Sequence, residues 1–200
     1  MIDNNIYDFA FTTSSLRLNE MIVVANAILN NREIDYINEL GAGKSNTGRK
    51  MLSEFTKRIS KLTNEELNIL VAGDFTSQKQ IALVSVCRAY WFIRDFVIEV
   101  LREKILVFDN QITEGDYITF YRRKYDLHPE MAKMTEVTNK KIRQVTFKIL
   151  EQAGIIDNIK SKSIQPQIID NKVIKAVAFV NANWLKVFLM SDPDIASVKN

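Results

Sequence analysis

The 200-residue sequence has one cysteine, Cys87, and one histidine, His128. A lone cysteine cannot close an intramolecular disulfide and a lone histidine cannot supply a multi-histidine metal site, which excludes zinc fingers, zinc ribbons and zincins. Neither a metal nor any other cofactor is expected. Glycine and proline are scarce, at six and three residues, and leave little material for successive hairpin turns. Long apolar runs are missing too. Met21–Leu29 is too short for a membrane span, and Val173–Met190 is broken by Lys175, Asn181, Asn183 and Lys186. Met1 to Ala10 lacks the basic start, apolar run and small-residue cleavage site of a signal peptide, so the expectation is a soluble cytoplasmic protein with no membrane partner.

What the sequence does carry is 46% hydrophobic and 10% aromatic residues, enough to bury one sizeable core or two small ones. Net charge is only +3, but it is unevenly spread. Residues 1–40 hold two basic groups against six acidic ones, net −4, and the remaining 160 hold 25 against 18, net +7. The positive charge therefore belongs to the body of the chain.

Apolar spacing is mostly helical, so a mainly α fold is expected. The pattern predicts a first helix over about 15–29, capped by Ser14 or Ser15, with Leu18, Ile22, Ala25 and Leu29 on one face. A short segment, Ile34–Leu40, precedes the break at Gly41-Ala-Gly43, and a helix follows from Asn46 or Thr47 to about Leu62. Thr63-Asn-Glu-Glu66 has the spacing of a capping box and opens a short helix that Gly73 closes; Ser77-Gln-Lys-Gln80 repeats the device. From Ile81 to Leu101 apolar residues occupy nearly every face, which predicts one long, buried central helix. Beyond a weak boundary at Phe108–Gly115 come a helix near 115–125, a turn at His128-Pro129 and a helix over Thr138–Ala153 that Gly154 ends. Ile155-Ile156, a polar stretch 157–163 and the run Ile164–Ile169 read as two short strands. A helix followed by such a flap is the layout of a winged helix-turn-helix. Two amphipathic segments, 172–180 and 182–189, close the chain, with fraying expected from Asp192. The organisation expected is an N-terminal helical subdomain (1–110), with a helix-turn-helix-like unit and the long central helix, and a C-terminal winged-helix-like subdomain (111–200) carrying at most one small β-hairpin, with one compact domain as the alternative.

Two helices carry candidate chemistry. After Gly48, a turn of about 100° per residue sets Leu52, Phe55, Ile59 and Leu62 opposite Lys50, Lys57 and Lys61. After Thr138, Ile142, Val145, Ile149 and Leu150 form an inner face, while Lys140, Arg143, Gln144, Phe147 and Lys148 are expected to point outward. Both helices open alike, Thr47-Gly-Arg49-Lys50-Met and Thr138-Asn-Lys140-Lys141-Ile, a capping hydroxyl and then two cations. Cations at a helix N-terminus oppose the macrodipole, and an anionic partner explains them. Long cations on an exposed face suit DNA phosphates, and Arg or Gln can reach base edges. Arg122-Arg123-Lys124 beside Tyr121 and Tyr125 extends the pattern. Gly41-Ala-Gly-Lys44-Ser45 is not a P-loop, because neither Glu39 nor Asn38 is the leading glycine and no strand precedes it; Lys44 instead has reach to a phosphate backbone. His128 reads as a turn residue, Cys87 as a core residue, and Glu65-Glu66 as part of a cap rather than an acid–base pair.

Taken in order, the run Gly41–Lys50, Arg58-Ile-Ser-Lys-Leu62, Gly73, Cys87-Arg-Ala-Tyr90, Phe120, His128-Pro129 and Thr138–Arg143 through Leu150-Glu-Gln-Ala-Gly154 resembles the BrxA family of bacteriophage-exclusion (BREX) defence islands. The resemblance covers about residues 10–190. It implies a small, non-enzymatic helical component of a multi-gene phage-defence system, with a bundle like that of the NusB antitermination factor and an affinity for double-stranded DNA. It brings no set of binding residues. The nucleic-acid-binding residues expected therefore come from the helical-face argument alone: Lys44, Arg49, Lys50, Lys57, Lys61, Arg122, Arg123, Lys124, Lys140, Lys141, Arg143 and Lys148. Two alternatives stand beside DNA binding. One is an adaptor for other BREX proteins, docking through Val173, Val177, Phe179, Trp184 and Phe188; the other is an RNA-binding, NusB-like factor.

Overall fold

Local signals in the chain start and stop most of the helices seen in the computed structural model, which describes residues 6–198. The described elements in order are a 3-10 turn Ala10–Thr13, α1 (Leu18–Leu29), α2 (Tyr36–Glu39), α3 (Ser45–Ile59), α4 (Asn64–Ala72), α5 (Phe75–Ala89) and α6 (Trp91–Phe96). Helix α6 runs on through a π-helical stretch, Val97–Arg102, into α7 (Glu103–Leu106). Then come α8 (Glu114–Leu127), a 3-10 turn Pro129–Lys133, α9 (Glu136–Ala153), α10 (Asn171–Asn181), a 3-10 stretch Ala182–Phe188 and α11 (Asp192–Val198). The fold is mainly α, as the spacing predicts.

Caps explain the boundaries. The Thr63/Glu66 box forms with both of its hydrogen bonds, and Thr113 with Asp116 makes a second one ahead of α8. Gly154 ends α9 in the left-handed conformation at φ 76°. Several starts differ from expectation. Helix α1 begins at Leu18, with Arg17 left-handed at φ 47° and neither serine capping it; the backbone carbonyls of Ser14 and Ser15 accept from Arg58 of α3 instead. Asp74, not Ser77, caps α5. Helix α3 starts at Ser45 without a side-chain cap, and Thr135 caps α9, so Thr47 and Thr138 both lie inside the first turn rather than at the cap. The C-terminal stretch from Asp192 is helical, not frayed, since Ile195 is buried.

The long central helix is in fact two. At Tyr90 the backbone turns to φ −136°, ψ 97°, so α5 and α6 meet at a corner. The reason is tertiary. Tyr90 is fully buried and its hydroxyl donates to Glu54 Oε1 at 2.5 Å, while Arg58 Nε donates to the same oxygen at 2.7 Å. Arg58, 0% exposed, also donates to the carbonyls of Ser14 and Ser15 at 2.6 and 2.8 Å. Satisfying these partners holds α3, the α5–α6 corner and the N-terminal segment in one register.

That N-terminal segment is a strap. Tyr7, Phe9 and Phe11 alternate into the core with Asp8 and Ala10 outward, the period of an extended chain. All three rings pack near Phe92 of α6, at centroid distances of 5.4, 5.3 and 6.3 Å, and Phe92 meets Phe120 of α8 at 5.4 Å. Phe96, one turn on, meets Phe120 at 5.1 Å and Phe147 of α9 at 5.7 Å. The buried residues from Tyr7 to Ile195 form one contiguous core. Phe147 is thus buried, not outward as its helical position suggests.

In place of two strands, the described residues show isolated antiparallel bridges, Gln111 to Ser163 and Ile156 to Ile164. They lay segment 163–164 between Gln111 ahead of α8 and Ile156 after α9. Polar turn chemistry closes the intervening loop, where Asp157 accepts from the amides of Asn158 and Ser163.

Breaking the buried ion pair tests its place in this register. Arg58→Leu strands the Glu54 carboxylate and two carbonyls, and should cost about 3–5 kcal/mol in urea unfolding, the range for a buried pair that loses one partner. A loss under about 1 kcal/mol would show that the strap and corner do not depend on it.

Candidate nucleic-acid interface

Two of the residue sets expected to bind nucleic acid meet on one groove. The first turns of α3 and the middle of α9 form facing walls, and the strap and its 3-10 turn form the floor, enclosing about 980 Å³. From α3 come Arg49 and Lys50, from α9 Lys141, Gln144 and Lys148, and from the residue ahead of α1 comes Arg17. The floor is hydroxyl-rich, with Thr12, Thr13, Ser14 and Ser15.

Each wall is aimed by local packing. The N-terminal end of α3 is fixed by Gly48, where α2 passes so close that a Cβ would stand 1.9 Å from the Tyr36 carbonyl oxygen. Arg49 and Lys50 are exposed as a consequence, with Met51 buried beside them. On α9 the buried Ile142, Val145 and Ile149 direct Lys141, Gln144 and Lys148 to the opposite side. Among the described residues the groove has one carboxylate, Glu54, which is 5% exposed and already accepts from Arg58 and Tyr90. Of the cations, Arg17 pairs with Glu20 at 3.1 Å, Lys148 pairs with Glu151, and Lys141 reaches Gln144 at 3.4 Å. Among the described residues Arg49 and Lys50 have no carboxylate partner.

The other expected residues lie elsewhere. Lys44 is exposed at the N-cap of α3, and Lys61 is exposed just past its end. Lys57 pairs with Asp8 of the strap and sits over the Tyr90 ring, 4.6 Å from its centroid. Arg122, Lys140 and Arg143 line a second, smaller pocket between α8 and α9. Arg123 pairs with Glu99 at 2.6 Å. Lys124 is buried, donating to Asp95 at 2.8 Å and Glu99 at 2.6 Å. Burial alone would raise the Asp95 carboxyl, but hydrogen bonds from Lys124 and Tyr7 hold it below its ordinary range. Lys124 therefore fastens α8 to α6 rather than facing solvent. Arg17 is the groove cation that helical spacing misses. It looks like the first turn of a helix, and only its left-handed backbone turns it toward the groove.

Neither single-copy nucleophile or base is presented to this groove. Cys87 is fully buried, and desolvation raises its thiol to about 12. The His128 ring stacks on Tyr7 at 3.6 Å, with Nδ1 3.1 Å from Glu130 Oε1. The segment ahead of Gly41 is helical, Tyr36–Glu39, which agrees with the rejection of a P-loop. Among the described residues no helix is long and apolar enough to cross a membrane.

The family model named BrxA matches residues 5–181. The chain belongs to the BrxA family. This BrxA-family chain is 25% identical over 130 residues to the BREX protein BrxA of Bacillus cereus (strain H3081.97), a match covering 64% of the chain and 65% of that relative. It is 21% identical over 128 residues to the BREX protein BrxA of Escherichia coli O9:H4 (strain HS), covering 64% of the chain and 60% of the relative. The matched region thus spans less than two thirds of either relative's length. In three dimensions the chain is similar to an uncharacterized protein from Magnetospirillum magneticum, with a TM-score of 0.79 at 16% identity over 93% of this chain and 99% of that one. That likeness shows a shared fold.

The close approach at Gly48 gives a direct test of how the α3 wall is set. Gly48→Ala forces backbone apart from backbone, and should lower stability by roughly 1–3 kcal/mol, as overpacking does. Chemical denaturation measures it, and an unchanged midpoint would show that α2 does not hold the N-terminal end of α3.

Proposed function

We propose that this chain is a non-enzymatic component of a BREX phage-defence system that holds duplex DNA by its phosphate backbone in the groove between α3 and α9. One observation carries the reading: five exposed cations, Arg17, Arg49, Lys50, Lys141 and Lys148, come from three separate elements to one groove, and the one carboxylate that the described residues place there is already neutralised. On the floor Thr13 and Ser15 add neutral hydroxyl donors of the kind that contact phosphate and sugar, while the Thr12 hydroxyl is spent on the Phe9 carbonyl and that of Ser14 is buried. Among the described residues no aromatic side chain lines this groove, so they offer no stacking platform for single-stranded bases, and a duplex backbone is the better fit. Phosphate contacts position a protein without reading sequence, and Gln144 and Arg49 are groove side chains of the kind that also reach a base edge.

The region from Gln111 onward supports the same reading in outline. Two helices, α8 and α9, followed by a bridged hairpin whose second segment also pairs ahead of α8, follow winged-helix order, with Lys160 exposed on the loop. A non-enzymatic role is consistent with Cys87 buried and His128 stacked against the strap. Action on DNA would place the protein in the cytoplasm, and the names of its relatives point to other BREX proteins as partners. The adaptor reading is narrower than the sequence suggests. Val173, Val177 and Phe188 are core, Trp184 packs on Trp91, and Phe179, 87% exposed, is the residue of that group left facing solvent.

A salt-series titration with random duplex and structured RNA tests the reading. Five phosphate contacts predict a log–log salt slope of about −4.5 on duplex. Reversing Arg49, Lys50, Lys141 and Lys148 to Glu together should abolish binding, while Lys44→Glu with Lys61→Glu should weaken it far less. Equal affinity of the four-site variant and the wild type would overturn the assignment, and preference for structured RNA would favour the RNA-binding alternative.

A further inference from the structure

The second concavity, about 280 Å³ between α8 and the first turns of α9, has different chemistry from the groove. Its inner wall is aromatic. Tyr117, Tyr121 and Tyr125 recur every four residues along α8, their rings tilted by 30° and 33° at centroid distances of 6.1 and 6.5 Å. They are graded in depth: Tyr117 is 5% exposed, Tyr121 is half-buried, and Tyr125 stands 44% exposed outside the pocket lining.

Two polar features of the pocket have unused capacity. The Tyr117 hydroxyl is buried with no hydrogen-bond partner among the described residues, an arrangement that costs stability, and with no surface of its own open to the pocket it meets an occupant only when the lining shifts. Asn139, at the start of α9, accepts the Tyr121 hydroxyl on Oδ1 at 2.7 Å, which orients its amide and leaves both N–H groups free to donate. At the rim are cations. Arg143 lies over the Tyr117 ring, 5.6 Å from its centroid, and pairs with Glu114; Lys140 pairs with Glu136 at 2.7 Å, and Arg122 is exposed. Both cations are thus already paired, and a phosphate reaches them by displacing Glu114 and Glu136.

We propose that this pocket is a nucleobase site: a single unpaired base inserts beside Tyr121, meets the Tyr117 hydroxyl and the Asn139 amide with its ring acceptors, and leaves its phosphate to Arg143 and Lys140. The volume lies just below the usual range of ligand pockets, roughly 300–1,000 Å³, and suits one ring system rather than a base pair. Stacking on an aromatic face with hydrogen bonds to the base edge is the way extrahelical bases are held. The base could belong to a nucleic acid or to a free mononucleotide. The proposal rests on the nucleic-acid reading above only for the first of these sources.

The experiment uses the full chain with three probes: a short duplex carrying one bulged 2-aminopurine, the same duplex with the 2-aminopurine paired, and adenosine monophosphate. The wild type should bind the bulged duplex more tightly than the paired one and quench its fluorescence. Tyr121→Ala should reduce the bulged affinity toward the paired level, by about 5- to 150-fold as lost base–aromatic stacking does, and abolish the quenching while paired-duplex binding stays unchanged. Tyr117→Phe keeps the ring and the fold, and should weaken the bulged probe by about 2- to 10-fold. If that hydroxyl is merely structural, the same change raises thermal stability and leaves base discrimination alone. Saturable binding of adenosine monophosphate that competes with the bulge supports the pocket and assigns it to a free mononucleotide as well. Equal binding of both duplexes, unaltered fluorescence and no mononucleotide binding would overturn the pocket and leave the phosphate groove standing. Loss of paired-duplex binding with mononucleotide binding retained would do the reverse.

Discussion

The buried guanidinium of Arg58 is the constraint on which the arrangement of the protein depends. With no exposed surface it must satisfy its donors internally, and it does so on Glu54 and on the carbonyls of Ser14 and Ser15. Tyr90 shares the Glu54 carboxylate, so its hydroxyl is held at the α5–α6 corner. Burying an ion pair yields little net stability, because desolvation offsets the attraction; what it supplies is a penalty for any other register. Here the register in question is that of the N-terminal strap against α3, and the strap is the floor of the cationic groove.

The groove also needs its second wall, and aromatic packing supplies it. Phe92 and Phe96 touch the strap, α8 and α9, so residues from the first dozen positions and from beyond 140 are set by one cluster of rings. Edge-to-face contacts of this kind have preferred geometries and resist sliding. A second polar tie reinforces them, since Tyr7 donates through its hydroxyl to Asp95 and through its amide to Glu130, while Lys124 reaches Asp95 from α8. Like-charged side chains at the groove repel one another, and this scaffold keeps them together.

The two concavities then divide the chemistry by what lines them. One is cationic and hydroxyl-rich without rings, suited to a phosphate backbone; the other is tyrosine-walled with unfilled hydrogen-bonding capacity, suited to a base. Both draw on α9, whose Lys141–Gln144–Lys148 face looks to one and whose Asn139–Lys140–Arg143 face looks to the other.

Helical class, most helix ends and the cationic character of α3 and α9 were legible in the sequence because they arise from short-range physics. Capping hydroxyls and carboxylates act within four residues, a left-handed glycine ends a helix where it stands, and a repeat of 3.6 residues marks a buried face. The same local rules erred wherever a distant partner intervened. Ile81 through Leu101 gives no hint of a corner, because the corner is made by Glu54. Lys124 reads as part of a basic run, yet Asp95 and Glu99 draw it inward, and Phe147 reads as outward until Phe96 and Tyr117 take it in. By itself the sequence determined that the chain is helical, where most of its helices lie and that some of them are basic. Only the tertiary structure decided which cations share a groove, since convergence depends on contacts between residues more than 40 positions apart, such as Arg58 with Ser14, that periodicity along the chain cannot encode.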